Sequence, residues 1–332
     1  MNILLVRTDR VGDLIMSTPA IASFRRSWPH AHITAVVTDY TEPVLRFNPD
    51  IDTLVSLPHG ASSRETLKRV RALGRMDLAV ALAPRTPDLV LAGLSRARSR
   101  LGYVYRRRYL SRALAHMVLT DFCLSTADPG LADRYPDEPV LHEVHQVLAL
   151  VSLAGGNELS EELVLRVPQE DRAFAAASVP RGAVVVPLAP RWLDANFGVE
   201  ALRSLLSRLA GEYPDVLVTY GRETASEAEA LRDGLNRSNI RWIGELPLLR
   251  WAAVIAQGSV VISVDTGATH IAAAMKIPVV VIFEREFYQL CSHEWSPWRV
   301  PSVLLCKPPA GADPGPLLED VLAGAQTMRS HG

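Results

Sequence analysis

At 332 residues, 48% hydrophobic and 21% charged, the chain is long for one domain and comfortable for two soluble ones of ordinary size. Its net charge of −1 divides into +4 over residues 1–150 and −5 over residues 151–332, which excludes general nucleic-acid binding and leaves an acidic partner to the first half alone. Three scattered cysteines, Cys123, Cys291 and Cys306, exclude a disulfide framework or a metal knuckle and fit a reducing compartment.

Asn2 to Val6 is an apolar run of strand length, and the loop after it, Arg7 to Asp13, has Gly12 for backbone freedom. The charges of that loop, Arg7, Asp9, Arg10 and Asp13, break up any signal-peptide core, and no apolar run reaches the roughly 18 residues of a membrane span. The expectation is a cytoplasmic protein that meets any membrane lipid peripherally, at the inner face. A helix then runs to about Ser27, starting either at Asp13 or at Ser17-Thr18-Pro19, since Ser or Thr before Pro is itself a start signal. Either start leaves Asp13 at the carboxyl end of the first strand. Strands at Ile33 to Val37, Thr53 to Leu57 and Leu78 to Leu82, with helical stretches such as Ser63 to Leu73 between them, continue an alternating β/α pattern. Asp50-Ile51-Asp52 has the spacing of a metal-binding D-x-D, but after Asn48-Pro49 it reads as a solvated turn.

Residues 85–112 hold eight arginines, Arg85, Arg96, Arg98, Arg100, Arg106, Arg107, Arg108 and Arg112, against one acid, Asp88. The run is either a solvated face of helix and loop or a cradle for a phosphorylated or carboxylated ligand, with Tyr103, Tyr105 and Tyr109 to stack on sugar rings. His142-Glu143-Val144-His145 lacks the i, i+4 histidine pair of H-E-x-x-H and reads as a polar helix start. That helix, 142–153, ends at Gly155-Gly156, and a domain boundary falls between Pro168 and Gly182. Ala183 to Pro187 opens a second β/α series, with strands near Val216 to Thr219, Arg241 to Ile243 and Val260 to Val264. No G-x-G-x-x-G follows the first strand of either half, which counts against a dehydrogenase.

Val260 to Phe283 reads as strand, polar turn, short helix and second strand, a βαβ unit of a covered parallel sheet. Asp265, Thr266 and Gly267 form the turn, with Thr266 placed as N-cap and Gly267 small enough for a ligand to approach the backbone. A turn between the carboxyl end of a strand and the amino end of a helix is where open α/β sheets bind anions. Two or three N–H groups with the Thr266 hydroxyl suffice to hold a diphosphate, and His270 falls one turn in, on the phosphate side. The plainer alternative is a capped turn with a core histidine.

D-T-G-x-x-H at 265–270, then an alanine-rich helix and P-V-V-x-x-F at 278–283, resembles the signature of glycosyltransferase family 9, the lipopolysaccharide heptosyltransferases. The N-terminus, MNILLVRTDRVGDLIMSTPAIASFRRSWP, is similar to that family's opening strand, its R-x-x-x-x-G-D loop with T-P a few residues on, and its first helix. The resemblance implies an α/β chain of two Rossmann-like domains facing across a cleft, the glycosyltransferase-B architecture. The N-terminal domain, 1–168, would bind the acceptor, and the C-terminal domain, 182–332, the nucleotide sugar, with the final helix able to return to the first domain. It implies an inverting, metal-independent transfer of a sugar, heptose from ADP-heptose, to a hydroxyl of an anionic saccharide or glycolipid such as lipopolysaccharide core. No cofactor is expected beyond the nucleotide-sugar substrate, and no nucleic acid.

Under that reading Asp13 is the general base on the acceptor hydroxyl, an exposed carboxylate with a pKa near 4 that is already ionised at neutral pH. Arg10, Gly12, Arg106, Arg107 and Arg108 contact the acceptor. Asp265, Thr266, Gly267, His270 and Arg191 hold the donor phosphates, and Glu223 or Glu227 takes the ribose. The chain departs from the family twice. A lysine expected near Ala195 or Asn196 is absent, and Glu284 stands after Phe283 where the family tends to Gly. These departures keep other readings open: a transferase using another nucleotide sugar on a different glycan, a sugar-nucleotide epimerase, or a binding protein whose catalysis has lapsed.

Overall fold

Short, wholly apolar strands that alternate with helices satisfy their backbone groups in parallel sheets covered on both faces, and the chain builds two of them. The computed structural model describes residues 1–58, 63–125, 139–193, 197–235 and 237–329. It divides into two units, residues 1–166 with 293–295 and residues 167–292 with 296–332.

The first unit contains β1 (Asn2–Val6), α1 (Val11–Ser27), β2 (His32–Thr38), α2 (Glu42–Leu45), β3 (Thr53–Leu57), α3 (Ser63–Ala72), β4 (Leu78–Ala81), α4 (Thr86–Leu94), β5 (Ser99–Tyr105), α5 (Tyr109–Val118), β6 (Asp121–Ser125) and α6 (Glu143–Leu153). Its strands lie in the order β3-β2-β1-β4-β5-β6, all parallel. α1 starts at Val11, earlier than either expected start, with Arg10 in the N-cap position. Pro19 lies inside it and has no N–H for the Ile15 carbonyl. The Thr18 hydroxyl fills that gap, donating to the Ile15 carbonyl at 2.7 Å, and accepts the Val164 N–H at 2.8 Å. Almost every face of α1 is buried, including Leu14, Ile15, Met16, Ile21 and Phe24, and it packs against α6. The arginine run, expected on helix and loop, is threaded by β5. The Asp50 to Asp52 segment is a turn, with the Asp52 carboxylate accepting the Ile33 N–H at 2.7 Å and pairing with Arg25.

The second unit contains α7 (Gln169–Ser178), β7 (Ala183–Pro187), α8 (Gly198–Glu212), β8 (Val216–Tyr220), α9 (Ala225–Asp233), β9 (Ile240–Gly244), α10 (Leu248–Ile255), β10 (Gly258–Val264), α11 (Gly267–Ala274), β11 (Val279–Phe283), most of α12 (Tyr288–Glu294), β12 (Ser302–Cys306) and α13 (Gly315–Arg329). The strand order is β12-β11-β10-β7-β8-β9, again all parallel. α7 belongs with this unit through an Asp171–Arg250 ion pair at 2.8 Å to α10, so the change of unit comes before α7 rather than after it. The final helix packs on β10, β11 and β12.

Counted within each unit, both sheets have the order 3-2-1-4-5-6, whose direction reverses between the first and fourth strands. Ligands of open α/β sheets bind outside the carboxyl ends of the strands at that reversal, here β1 beside β4 and β7 beside β10. Among the described residues no helix is long and apolar enough to cross a membrane.

Candidate active site

At the β1/β4 reversal the Arg7 guanidinium, 3% exposed, is surrounded by carboxylates. Its Nε and Nη2 donate to the two oxygens of Asp9 at 2.9 and 3.0 Å. Nη1 donates to Glu143 Oε1 at 2.6 Å, to Ser17 Oγ at 2.9 Å and to the Leu82 carbonyl, and Asp13 Oδ1 stands 3.6 Å from Nη2. Glu143, the first residue of α6, is itself buried and accepts the Tyr103 hydroxyl at 2.8 Å. A charge this deep persists only where such partners replace water. Tyr103, expected to stack on sugars, is therefore a buried strut whose ring packs within the unit.

Arg7, Asp9, Asp13, Glu143 and the edge of Tyr103 line a cavity of about 680 Å³ in the first unit, together with Arg10, Arg85, Arg108, Tyr40 and Tyr105. Asp13 projects from the first turn of α1, and its side chain is only 18% exposed. Burial, and after it the charge of Asp9, pushes its carboxyl up to about 7 against the pull of Arg7. The expected exposed Asp with an ordinary pKa is thus corrected. Asp88, buried behind the same loop, accepts the Thr8 N–H at 2.7 Å and the Thr8 hydroxyl at 3.2 Å, and burial lifts it also to about 7. The arginine run separates into two jobs. Arg85 and Arg108 reach the cavity, while Arg100 is spent on the Val118 and Ala97 carbonyls at 2.9 and 2.8 Å. Arg106 and Arg107 do not line the cavity, and Gly12 is buried inside the first turn of α1.

At the β7/β10 reversal Arg191 sits in a 3₁₀ turn, Pro190–Trp192, and its Nη1 donates to the Asp265 carbonyl and to Asp265 Oδ2 at 2.7 Å. Thr266 occupies the N-cap of α11 but makes no side-chain capping bond, contrary to expectation; its hydroxyl is 3.4 Å from Ser263 Oγ. An uncapped helix start leaves its first N–H groups to a ligand. His270 is 5% exposed, burial pulls its pKa down to about 4, and Nδ1 is buried without a hydrogen-bond partner. It is a neutral imidazole at physiological pH rather than a cation facing phosphate. Lys307, just past β12 and wholly buried, pairs with Glu284 Oε1 at 2.8 Å and donates to the Arg191 carbonyl. A smaller cavity of about 120 Å³, lined by Leu188, Tyr220, Gly221, Ile243, Glu245 and Trp251, lies at the ends of β7, β8 and β9. Trp251 Nε1 is fixed there on the Thr219 hydroxyl at 2.9 Å. Glu223 and Glu227 are not among its lining residues; Glu223 is exposed, and Glu227 accepts the Ser226 hydroxyl at 2.8 Å.

The family profile described as Glycosyltransferase family 9 (heptosyltransferase) matches residues 78–289, more than half of the chain. The chain belongs to glycosyltransferase family 9. A lipopolysaccharide heptosyltransferase 3 of Escherichia coli is 21% identical over 305 residues, covering 86% of this chain and 83% of that protein. Among solved structures, the glycosyl transferase family 9 protein from Veillonella parvula superposes with a TM-score of 0.78 at 16% identity, covering 100% and 97% of the two chains. The E. coli heptosyltransferase WaaC with ADP-2-deoxy-2-fluoro heptose superposes with a TM-score of 0.72 at 16% identity, covering 100% of both. The fold is the glycosyltransferase-B fold, two Rossmann-like domains.

In this glycosyltransferase the first-unit cavity is lined by Asp13 and Arg10 from the motif at the chain start, and in the second unit Arg191 meets Asp265 beside the Thr266-Gly267 helix start, with His270 buried one turn further in. Sequence reasoning missed Glu143, Asp88, Lys307 and the Trp251 cavity. Glu143 carried a signal in the H-E-V-H stretch, read there only as a helix start. Glu284, marked as a departure from the family, turns out to be the counter-ion of Lys307. Ala195 and Asn196, where the family's lysine would fall, lie outside the described residues. Among the described residues no cluster of three or more His, Cys, Asp or Glu side chains is arranged to hold a metal ion.

Proposed function

We propose that this glycosyltransferase moves heptose from ADP-heptose to a hydroxyl of an anionic saccharide, the lipopolysaccharide core or its glycolipid precursor, at the inner face of the membrane. The observation that carries the reading is Asp13, a carboxylate with its proton affinity tuned near neutrality, lining a cavity ringed by arginines. Asp13 takes the proton of the acceptor hydroxyl as that oxygen attacks the anomeric carbon, and the bond from that carbon to the diphosphate oxygen breaks. One displacement inverts the centre. A base with a pKa near the working pH combines a large ionised fraction with useful proton affinity. Arg10, Arg85 and Arg108 meet the acceptor's negative groups. The helix start at Thr266-Gly267 and the Arg191 guanidinium receive the departing diphosphate without a divalent cation. The base and ribose are assigned to the Trp251 cavity, of whose lining Glu245 is part and Glu223 and Glu227 are not.

The direct test is a melting panel with ADP, UDP, GDP and dTDP, followed by turnover with the matching nucleotide sugar. A ligand at a hundred times its dissociation constant adds about 2.7 kcal/mol, so the right diphosphate stands out. ADP is expected to stabilise most, and turnover is expected to persist in excess chelator. A clear preference for UDP or dTDP would move the assignment to another nucleotide sugar, and loss of turnover in chelator restored by magnesium would overturn the metal-free step.

Lys307→Met carries a further expectation for the donor half. The Lys307 ammonium holds the Arg191 carbonyl, so its loss frees the 3₁₀ turn that aims Arg191 at the phosphate site. The expected result is nucleotide diphosphate affinity weakened about tenfold, or about 1.4 kcal/mol, at the low end of what a hydrogen bond to a charged group contributes, with the acceptor KM unchanged. Equal affinity in a folded variant would reduce the pair to a structural tie.

A further inference from the structure

α5 carries apolar side chains on the face that a core helix turns to water. Ala115 is fully buried, whereas Leu110 is 89% exposed and Met117 76%. The spacing 110, 113, 117 puts Leu110, Ala113 and Met117 in one outward stripe, and Tyr109 at the head of the helix is also exposed. Leu124, on the neighbouring β6, is exposed as well. Scattered exposed apolar residues need no explanation, but a contiguous stripe marks a surface that something covers.

Charge indicates what covers it. Arg106 and Arg108 are exposed at the amino end of α5, while Arg112, within it, is half-buried and donates to the Arg106 carbonyl at 3.1 Å. The one acid in the whole run from 85 to 112 is Asp88, which is buried at 0% exposure beside Thr8 and so cannot screen those arginines at the surface. Leu, Met and Tyr on one side with arginines beside them is the pattern of a helix that lies in a bilayer interface, and cationic clusters are drawn to anionic headgroups. The same helix contributes Ser111, and the residue before it Arg108, to the lining of the 680 Å³ cavity. The stripe and the acceptor cavity are therefore two faces of one element.

We propose that α5 docks this protein on an anionic bilayer, Leu110 and Met117 entering the acyl boundary and Arg106 resting among the headgroups, so that the cavity mouth meets a membrane-held acceptor. The link to the acceptor rests on the proposed function; the docking itself does not. The test uses the full chain without substrate, sedimented with vesicles rich in phosphatidylglycerol and, separately, with phosphatidylcholine vesicles. The parent is expected to bind the anionic vesicles, less so at high salt, and Leu110→Ser/Met117→Ser to lower that binding about tenfold or more. Arg106→Ala is expected to weaken binding further at low salt only. Both apolar positions face solvent, so the variant keeps its fold, and it is expected to glycosylate a soluble, deacylated acceptor at the parent rate while losing activity on the vesicle-embedded one. A parent that ignores anionic vesicles, or a double variant that binds as the parent does, overturns the proposal. So does a concentration-dependent dimer in the parent that the double variant abolishes, since a second copy then covers the stripe. Failure on the soluble acceptor by the parent itself counts against the acceptor assignment and leaves the vesicle result standing.

Discussion

Asp13→Asn is expected to lower kcat by about 10²–10⁴ while nucleotide affinity stays at the parent level, the range that a general base contributes. The carboxylate stands 3.6 Å from Arg7 and is raised to about 7 by burial first and Asp9 second. Only its ionised form accepts a proton, so kcat in the parent is expected to rise with pH through about 7 and then level off. The Asn variant is expected to lose that limb. Asn keeps the size of the side chain and cannot take the proton, which separates chemistry from packing. If Asp13 served only as an acid in the first turn of α1, its loss would cost about 0.3–1 kcal/mol of helix-dipole stabilisation and leave kcat alone. The paired measurement is melting temperature against single-turnover rate across pH. A variant that turns over normally, or a parent whose rate is flat from pH 6 to 8, would sink the assignment.

Glu143→Ala is expected to cost the largest stability of any single change at this site, about 3–5 kcal/mol, because it strips a 2.6 Å partner from a guanidinium that is 3% exposed. The Tyr103 hydroxyl loses its acceptor at the same stroke. For a unit of this size the melting transition is expected to fall by roughly 10 °C. Glu143→Gln keeps an oxygen for Tyr103 and removes only the charge, so it is expected to fall between Ala and the parent. Denaturant unfolding of the three proteins, followed in the first unit, checks the order. A Glu143→Ala protein that melts within a degree of the parent would mean that Asp9, Ser17 and the Leu82 carbonyl hold Arg7 without it.

The two effects also show where sequence reasoning reached its limit. Asp13 was legible because it sits in a local motif, at the end of an apolar strand and beside a glycine. The Asp265-Thr266-Gly267 turn was legible for the same reason. Glu143 was present in a stretch that drew attention, yet its partner Arg7 is separated from it by most of the first unit, and nothing in H-E-V-H points to a buried guanidinium. The arginine run shows the converse: as a sequence it is one feature, but β5 passes through it. Arg100 turns to cap carbonyls, Arg85 and Arg108 reach the cavity, and Arg106 stays at the surface.

By itself the sequence determined the alternation of apolar strands and helices, hence parallel sheets and two α/β domains, because burial periodicity and turn chemistry act over a few residues. It also determined the two anchor motifs, since a strand end, a small turn and a helix start are consecutive in the chain. The tertiary structure alone decided that both sheets take the 3-2-1-4-5-6 order, with their reversals at β1/β4 and β7/β10. It alone decided the Arg7–Glu143 and Lys307–Glu284 pairs and the neutral state of His270. The physical reason is that a buried charge is set by what replaces its water, and in these sheets those replacements come from strand ends and helix starts that adjoin in space and lie apart in sequence.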